Sequence, residues 1–266
     1  MTSKLASILF AAATIAAMSF APTGAAVLAE RQAREGALLR AYPAIATRNA
    51  HGLTIWQNGR PVARFHNLNE TGCEGNDSCS LWWFDGVLRL GTGADRRTYA
   101  EVFHSNGEGW EVLLIGEGDN PLVFEDEVMP SPDGRYAATG TPAGLTDGYL
   151  SIIDWSSPGH HLTATFSRTI ACAPLNWQGP DELRVICDHD KTATHASLAV
   201  VRHAGDGMWQ FNEAGPADWK THQFVADPDF TAHTETARPD VAQPRSDKQR
   251  ADDAAYFRRG GYEKLN

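Results

Sequence analysis

Positive charge is scarce in this chain: 23 lysines and arginines stand against 33 aspartates and glutamates, a formal net charge of −10. That balance excludes the basic stripe that a nucleic-acid-binding surface requires, so no nucleic acid is expected among the partners. It selects no partner by itself, because a negative surface also simply aids solubility. Cysteine is sparse, with Cys73, Cys79, Cys172 and Cys187 only. Their separations do not match the paired short spacings of structural zinc. Familiar catalytic signatures are missing: no Gly-x-Ser-x-Gly elbow, no phosphate loop ending in Gly-Lys-Ser/Thr, no Gly-x-Gly-x-x-Gly after a strand and no His-Glu-x-x-His. This lowers the expectation of an enzyme without excluding one, since sites on β scaffolds are assembled from distant loops. After Phe20 no apolar run reaches the roughly 20 residues that span a bilayer, so no transmembrane anchor is expected.

The N-terminus carries the clearest signal that is present. Lys4 supplies a short positive region, Ile8 to Phe20 form an alanine-rich apolar run, and Pro22-Thr23-Gly24 follow as a turn. Small residues at Gly24 and Ala26, or Val27 and Ala29, offer cleavage after Ala26 or Ala29. This three-part layout is that of a secretory signal peptide. The alanine-rich leader looks bacterial, no cysteine lies near the cleavage region for a lipid anchor, and the mature chain is expected in the periplasm or outside the cell. About 240 residues then remain, enough for one sizeable domain or two small ones.

Export agrees with disulfides. Residues 171 to 187 read as strand, turn, strand with Gly179-Pro180 at the turn. Counting outward from a two-residue loop, Asn176 faces Leu183 and Cys172 faces Cys187; facing β-carbons lie about 4.5–5.5 Å apart, within reach of a disulfide. Cys73 and Cys79 then close the small loop that holds Glu74 and Asp77.

Between residues 52 and 212 short β-like runs alternate with Gly, Asn and Asp turns. Asn58-Gly59, whose residues tolerate positive φ, predicts a type I′ hairpin joining Leu53–Trp56 to Val62–Phe65. Shifting the chain by 48 residues lays Pro132-Asp133 on Pro180-Asp181, Leu150–Ile153 on Leu198–Val201, and Gly159 on Gly207. A looser third copy places Asp85-Gly86 on Asp133-Gly134 and Ala100–Phe103 on Leu150–Ile153 after a two-residue adjustment. The Gly52–Phe65 hairpin then falls in the second half of a still earlier unit. Units of about four strands have the size of a propeller blade.

Ser131-Pro132-Asp133-Gly134-Arg135-Tyr136-Ala137 resembles the repeat motif of TolB-type β-propellers, with Trp177–Glu182 and Trp83–Gly86 as degraded copies. The resemblance covers the middle half of the chain and implies a propeller-like scaffold, with nothing about ligand or partner. The expected fold is all-β: a β-propeller-like or sandwich-like array of four-stranded antiparallel units with short N- and C-terminal helices. Its organisation is a signal peptide over 1–29, a helical segment over 30–50, β repeats over 51–212, a polar proline-containing segment over 213–245, and a C-terminal helix and tail over 246–266. The 213–245 segment is either an ordered wrap or a mobile linker.

Ten histidines invite a metal assignment. Asp188, His189 and Asp190 with His195 follow a strand, and loops converge at one end of a propeller; His189 with Asp188 or Asp190 is then the acid/base set of a hydrolase or lyase, and Asp188, His189 and His195 the metal set. The plainer reading is solvated loop residues, because ligation needs three or four ligands in fixed geometry, which spacing alone does not supply. No cofactor, metal or catalytic residue is therefore assigned. Glu125-Asp126-Glu127 reads as a solvated turn. Most of the tryptophans, Trp56, Trp110, Trp155, Trp177 and Trp209 among them, read as packing residues. Trp82-Trp83 differs, since adjacent strand residues face opposite sides and one ring is expected in solvent. Trp82 and Trp83 with Glu74 and Asp77 of the stapled loop form the expected recognition surface. The expected function is a non-enzymatic interaction protein of a bacterial envelope, with an envelope protein or a glycan as partner; the alternative is an envelope hydrolase or lyase.

Overall fold

Asn58 and Gly59 hold φ of 49° and 75°, the two left-handed positions of a type I′ turn. The computed structural model describes residues 24–68, 79–106, 109–116, 121–140, 149–156, 162–166, 171–188, 196–241, 252 and 255–265. A helix, α1 (Gly24–Ala41), runs to the residues before Pro43, where a proline disfavours helical backbone in its predecessor. The expected cleavage points after Ala26 and Ala29 fall inside this helix.

Strands then follow in four antiparallel sheets. The first holds β1 (Ala46–Asn49), β2 (Gly52–Gln57) and β3 (Arg60–Phe65), joined in the β2–β3 hairpin that Asn58-Gly59 predict. The second is β4 (Leu81–Leu90), β5 (Arg97–Ser105), β6 (Trp110–Ile115) and β7 (Leu122–Phe124). The third is β8 (Met129–Pro130), β9 (Tyr136–Gly140), β10 (Leu150–Asp154) and β11 (Leu162–Thr165). The fourth is β12 (Ala171–Trp177), β13 (Glu182–Asp188), β14 (Ala196–Gly205) and β15 (Met208–Ala217). The fold is all-β, as expected, in four antiparallel sheets of four or five strands.

The sheets stack face to face, and period-two alternation sorts each strand between two cores. Leu53, Ile55 and Phe65 of the first sheet meet Trp82, Phe84, Val102 and Leu113 of the second. On the reverse of the second sheet, Leu90, Tyr99, Val112 and Leu114 meet Ala137 and Ile153 of the third. Tyr136, Ala138 and Ile152 in turn meet Leu183, Val185, Val201 and Phe211 of the fourth. The middle sheets are thus covered on both faces, which is why Leu81–Phe84 and Val112–Ile115 read as continuous apolar runs rather than alternating ones. Side-chain and backbone bonds stitch the stack: Gln57 Nε2 to Ile115 O (2.9 Å), Gly91 N to Gly134 O (2.8 Å) and Trp177 Nε1 to Met129 O (3.0 Å).

The 48-residue repeat corresponds to the third and fourth sheets. Leu150–Ile153 lie on β10 and Leu198–Val201 on β14, each the third strand of its unit. The third copy needs correction. Asp85-Gly86 is not a turn; it sits inside β4 at a bulge, where the register shifts between Phe84 and Gly86. Ala100–Phe103 lie on β5, a second strand. Ser131–Tyr136 form the turn whose chemistry the sequence displays: Asp133 Oδ1 accepts from Ser131 Oγ (2.7 Å) and Arg135 N (3.1 Å), and Gly134 takes φ 77°.

The chain beyond β15 is the ordered wrap, seen as far as Val241. β16 (Thr234–Ala237) pairs with β15 on the fourth sheet, and β17 (Asp240–Val241) pairs with β11 on the third. Residues 255–259 are helical beside the second sheet, where Asn106 Nδ2 donates to Tyr256 Oη (2.8 Å). β18 (Tyr262–Lys264) then pairs with β3 on the first sheet. The stretch read as a tail is therefore a strand, and the β region extends on both sides of 51–212, from β1 to β18. The capping box at Ser246 and Gln249 lies outside the described residues.

Gly261 holds φ +92°, and a Cβ there would lie 2.2 Å from His66 O. Gly261→Ala is expected to lower unfolding free energy by about 1–3 kcal/mol. Gly59→Ala, with φ +75° but nothing within 4 Å, should cost no more than about 1 kcal/mol. Urea midpoints of the two variants measure the difference; equal losses would mean that the strap is not seated against His66.

Candidate functional site

The residues singled out in the sequence scatter. Glu74, Asp77, Cys73, His189, Asp190 and His195 lie outside the described residues. Asp188 is not a loop residue: it ends β13, is buried, and pairs in register with Ala171 and Ala196. Among the described residues no three His, Cys, Asp or Glu side chains are arranged to hold a metal ion. Cys172 and Cys187 form a disulfide with Cα atoms 4.0 Å apart, and they face each other in register. The expected Asn176–Leu183 pair is off by one, because Asn176 faces Arg184 and a bulge at Leu175 restores the register before Cys172. Cys79 is disulfide-bonded as well.

Trp82 and Trp83 do face opposite sides of β4, yet neither ring is in solvent, with exposures of 0% and 5%. Trp82 enters the core between the first two sheets. Trp83 lies on the face that α1 covers, with the Arg31 guanidinium 5.9 Å from its ring and 3.5 Å from the Phe103 ring. Among the described residues the exposed tryptophan is Trp110, at 58%, which the sequence groups with the packing tryptophans.

Around Trp82 lies a hydrogen-bonded chain that the sequence does not announce. Ser80 Oγ is 2.6 Å from His104 Nε2, and His104 Nδ1 is 2.6 Å from Glu111 Oε1. The imidazole stacks on Trp82, with ring centroids 3.7 Å apart. Ser80 Oγ also donates to Gly260 O (2.6 Å), as does Trp82 Nε1 (2.6 Å). Serine, histidine and carboxylate in this order have the connectivity of an acyl-transfer nucleophile. The proton bookkeeping opposes that use. Ser80 has one hydroxyl proton and gives it to Gly260, so His104 Nε2 must itself donate to Ser80 and is not free as a base. Ser80 is 3% and His104 2% exposed. A Cβ at residue 260 would sit 3.1 Å from Ser80 Oγ, so the strap fills the space a substrate would need. The cluster is a clasp on the strap.

A second buried polar group lies on the α1 side. Glu101 on β5 is 4% exposed, and its Oε1 has no hydrogen-bond partner among the described residues. Burial, then repulsion from Asp85 and Glu127, pushes its carboxyl up to about 8. Arg34 lies 3.3 Å and Arg31 4.0 Å from Asp85, so α1 supplies the countercharge to this acidic group. The helix is held by Glu35, which accepts from Arg48 Nη2 (2.8 Å) and from Phe84 N at the β4 bulge (2.8 Å).

One cleft, of about 520 Å³, opens between the second and third sheets. Trp110, Glu111, Phe124 and Glu125 line one side, and Thr139, Tyr149, Ser151 and Thr163 the other. Tyr256 and Phe257 of the strap close its end. Thr139 is 3% exposed, and its hydroxyl has no partner among the described residues. No lysine or arginine is among the described lining residues. Flat aromatic faces with hydroxyl and carboxylate groups between them suit a ligand that is apolar on its ring faces and rich in hydroxyls at its edges.

No family model matches the chain, and no curated protein and no solved structure matches it either.

Glu101 makes stability depend on pH. Its carboxyl moves from 4.5 to about 8 on folding, so the folded chain holds a proton that the unfolded chain has released between those values. Stability is full below pH 4.5 and falls as pH rises toward 8. Glu101→Gln is expected to raise Tm at pH 8 and to flatten the decline between pH 5 and 8. A decline of unchanged slope in the variant, followed by calorimetry, would place its origin elsewhere.

Proposed function

We propose that the chain is an exported, non-enzymatic binding protein of a bacterial envelope, and that it takes a glycan in the cleft between its second and third sheets. The observation that carries this reading is Trp110, more than half exposed and lining a cleft that also holds the hydroxyls of Tyr149, Ser151 and Thr163 and two glutamates. An exposed indole on a rigid strand offers large contact area at small entropic cost. Sugar rings present C–H faces to stack on Trp110 or Tyr256 and hydroxyls to meet Ser151, Thr163 and the two glutamates. The disulfide between Cys172 and Cys187 agrees with an oxidising compartment, and the N-terminal leader layout supports export. The propeller-like stacking of the sheets supports the proposed TolB-type likeness at the level of scaffold. The rival reading, a hydrolase or lyase centred on His189, draws no support from Asp188, whose place is inside the β13 ladder.

Trp110→Ala is expected to weaken binding to envelope polysaccharide at least tenfold, as loss of a hot-spot aromatic does, while leaving Tm unchanged because the ring is exposed. Titration calorimetry with soluble glycan fragments reads the affinity. Retention of binding to an envelope protein but to no glycan would overturn the ligand class. As a separate check on catalysis, a fluorophosphonate probe should leave Ser80 unlabelled in the intact chain; labelling at Ser80 would contradict the clasp and revive an acyl-transfer function.

A further inference from the structure

Glu111 and Glu125 are the only charged side chains among the described residues that line the cleft at Trp110. β6 and β7 pair Val112 with Phe124, so one step further along the same register Glu111 stands beside Glu125. Cross-strand neighbours leave the same face of a sheet with β-carbons about 4.5–5.5 Å apart, and like charges placed so repel each other. The rest of the β6–β7 pairing is apolar, with Leu113 beside Val123 and Leu114 beside Leu122. Two acids at its end are therefore nothing the sheet itself requires.

His104 relieves one of the pair. Its Nδ1 lies 2.6 Å from Glu111 Oε1, which leaves Glu111 Oε2 uncommitted. Glu125 is exposed and has no hydrogen bond or ion pair among the described residues, so both of its oxygens stay open. The Tyr256 ring borders the same place, with its centroid 6.3 Å from that of His104 and its plane turned 70° to the imidazole. Open carboxylate oxygens beside an aromatic ring suit an ammonium group. The oxygens accept charge-assisted hydrogen bonds from it, and the ring attracts it through its negative face. An anionic ligand would meet repulsion from both acids.

We infer that the cleft selects a ligand bearing a primary ammonium group, held by Glu125 and Glu111 with Tyr256 beside them. This rests on the glycan reading above and narrows it: the glycan is an amino-sugar oligomer whose amines are free. Such a polycation suits a chain of net charge −10. An N-acetylated sugar brings no charge for the pair to meet, and a uronate brings the wrong one.

The test is titration calorimetry of the intact chain with a glucosamine oligomer, the matching N-acetylglucosamine oligomer and spermidine. The glucosamine oligomer is expected to bind at least about tenfold more tightly than its acetylated counterpart, as a charge-assisted hydrogen bond provides. That advantage should shrink as sodium chloride is added. Glu125→Gln keeps the shape and removes the charge. It is expected to abolish most of the preference while leaving Tm unchanged, because Glu125 is exposed and Glu111 still holds the clasp. Equal affinity for the two oligomers, or a preference that survives Glu125→Gln, would overturn the ammonium inference and leave the glycan reading standing. Glu125-dependent binding of spermidine with neither oligomer bound would keep the ammonium site and overturn the glycan. Binding of none of the three would overturn both.

Discussion

The carbonyl oxygen of Gly260 receives two side-chain hydrogen bonds, from Ser80 Oγ and Trp82 Nε1, and the chain that bears it goes on to form the edge strand of the first sheet. A sheet edge exposes unpaired N–H and C=O groups and must be covered or blunted. Here the C-terminal strap does the covering, visiting the fourth, third and first sheets as β16, β17 and β18. Strands of two to four residues hold poorly by themselves. The strap needs anchors, and it has them in Phe257 and Tyr262, buried in the core between the first two sheets, and in the Gly260 clasp. Burying Ser80 and His104 is tolerable only because every member of their chain has a partner. Removing one would strand the others in a dry core.

How much of this was legible depends on how local the cause is. Asn58-Gly59 dictate their hairpin from two residues, and Cys172 meets Cys187 because both belong to one hairpin. Even there the route differed from the simple count, since a three-residue loop and a bulge at Leu175 offset each other. The β10–β14 correspondence was legible because whole strands repeat. Asp85-Gly86 misled because Asp-Gly is turn chemistry in isolation; in the fold, Gly86 leaves room for Glu101 Oε2, 3.3 Å from where a Cβ would stand.

The clasp had no sequence signal at all. Ser80 and Gly260 are 180 positions apart, and nothing in the residues near either one names the other. Trp82 and Trp83 show the same limit from another side. Alternation correctly sends them to opposite faces, but whether the second face meets water depends on α1, whose docking rests on Glu35 reaching Arg48 and Phe84 N. Trp110 fails in the opposite direction. It opens β6 next to the Asn106–Gly109 turn, where the strand has outrun the layers that bury Val112 and Leu114.

The position of the cleft follows from how the strap crosses each sheet. Where the strap runs as strand it hydrogen-bonds to the edge and seals it. At the second sheet it passes as the helical turn over 255–259, and a helix satisfies its own backbone and cannot pair with β7. Among the described residues no strap strand joins that edge. Tyr256 and Phe257 therefore meet the second sheet through side chains, leaving a gap bounded by Trp110 on one side and Thr139 on the other. The sealed edges take short extended segments of chain, whereas residues 255–259 lie beside the second sheet as a turn of helix that leads into the clasp at Gly260. On this account the cleft is a product of the same constraint that holds the sheets together, and shifting the clasp at Gly260 would move its closing wall.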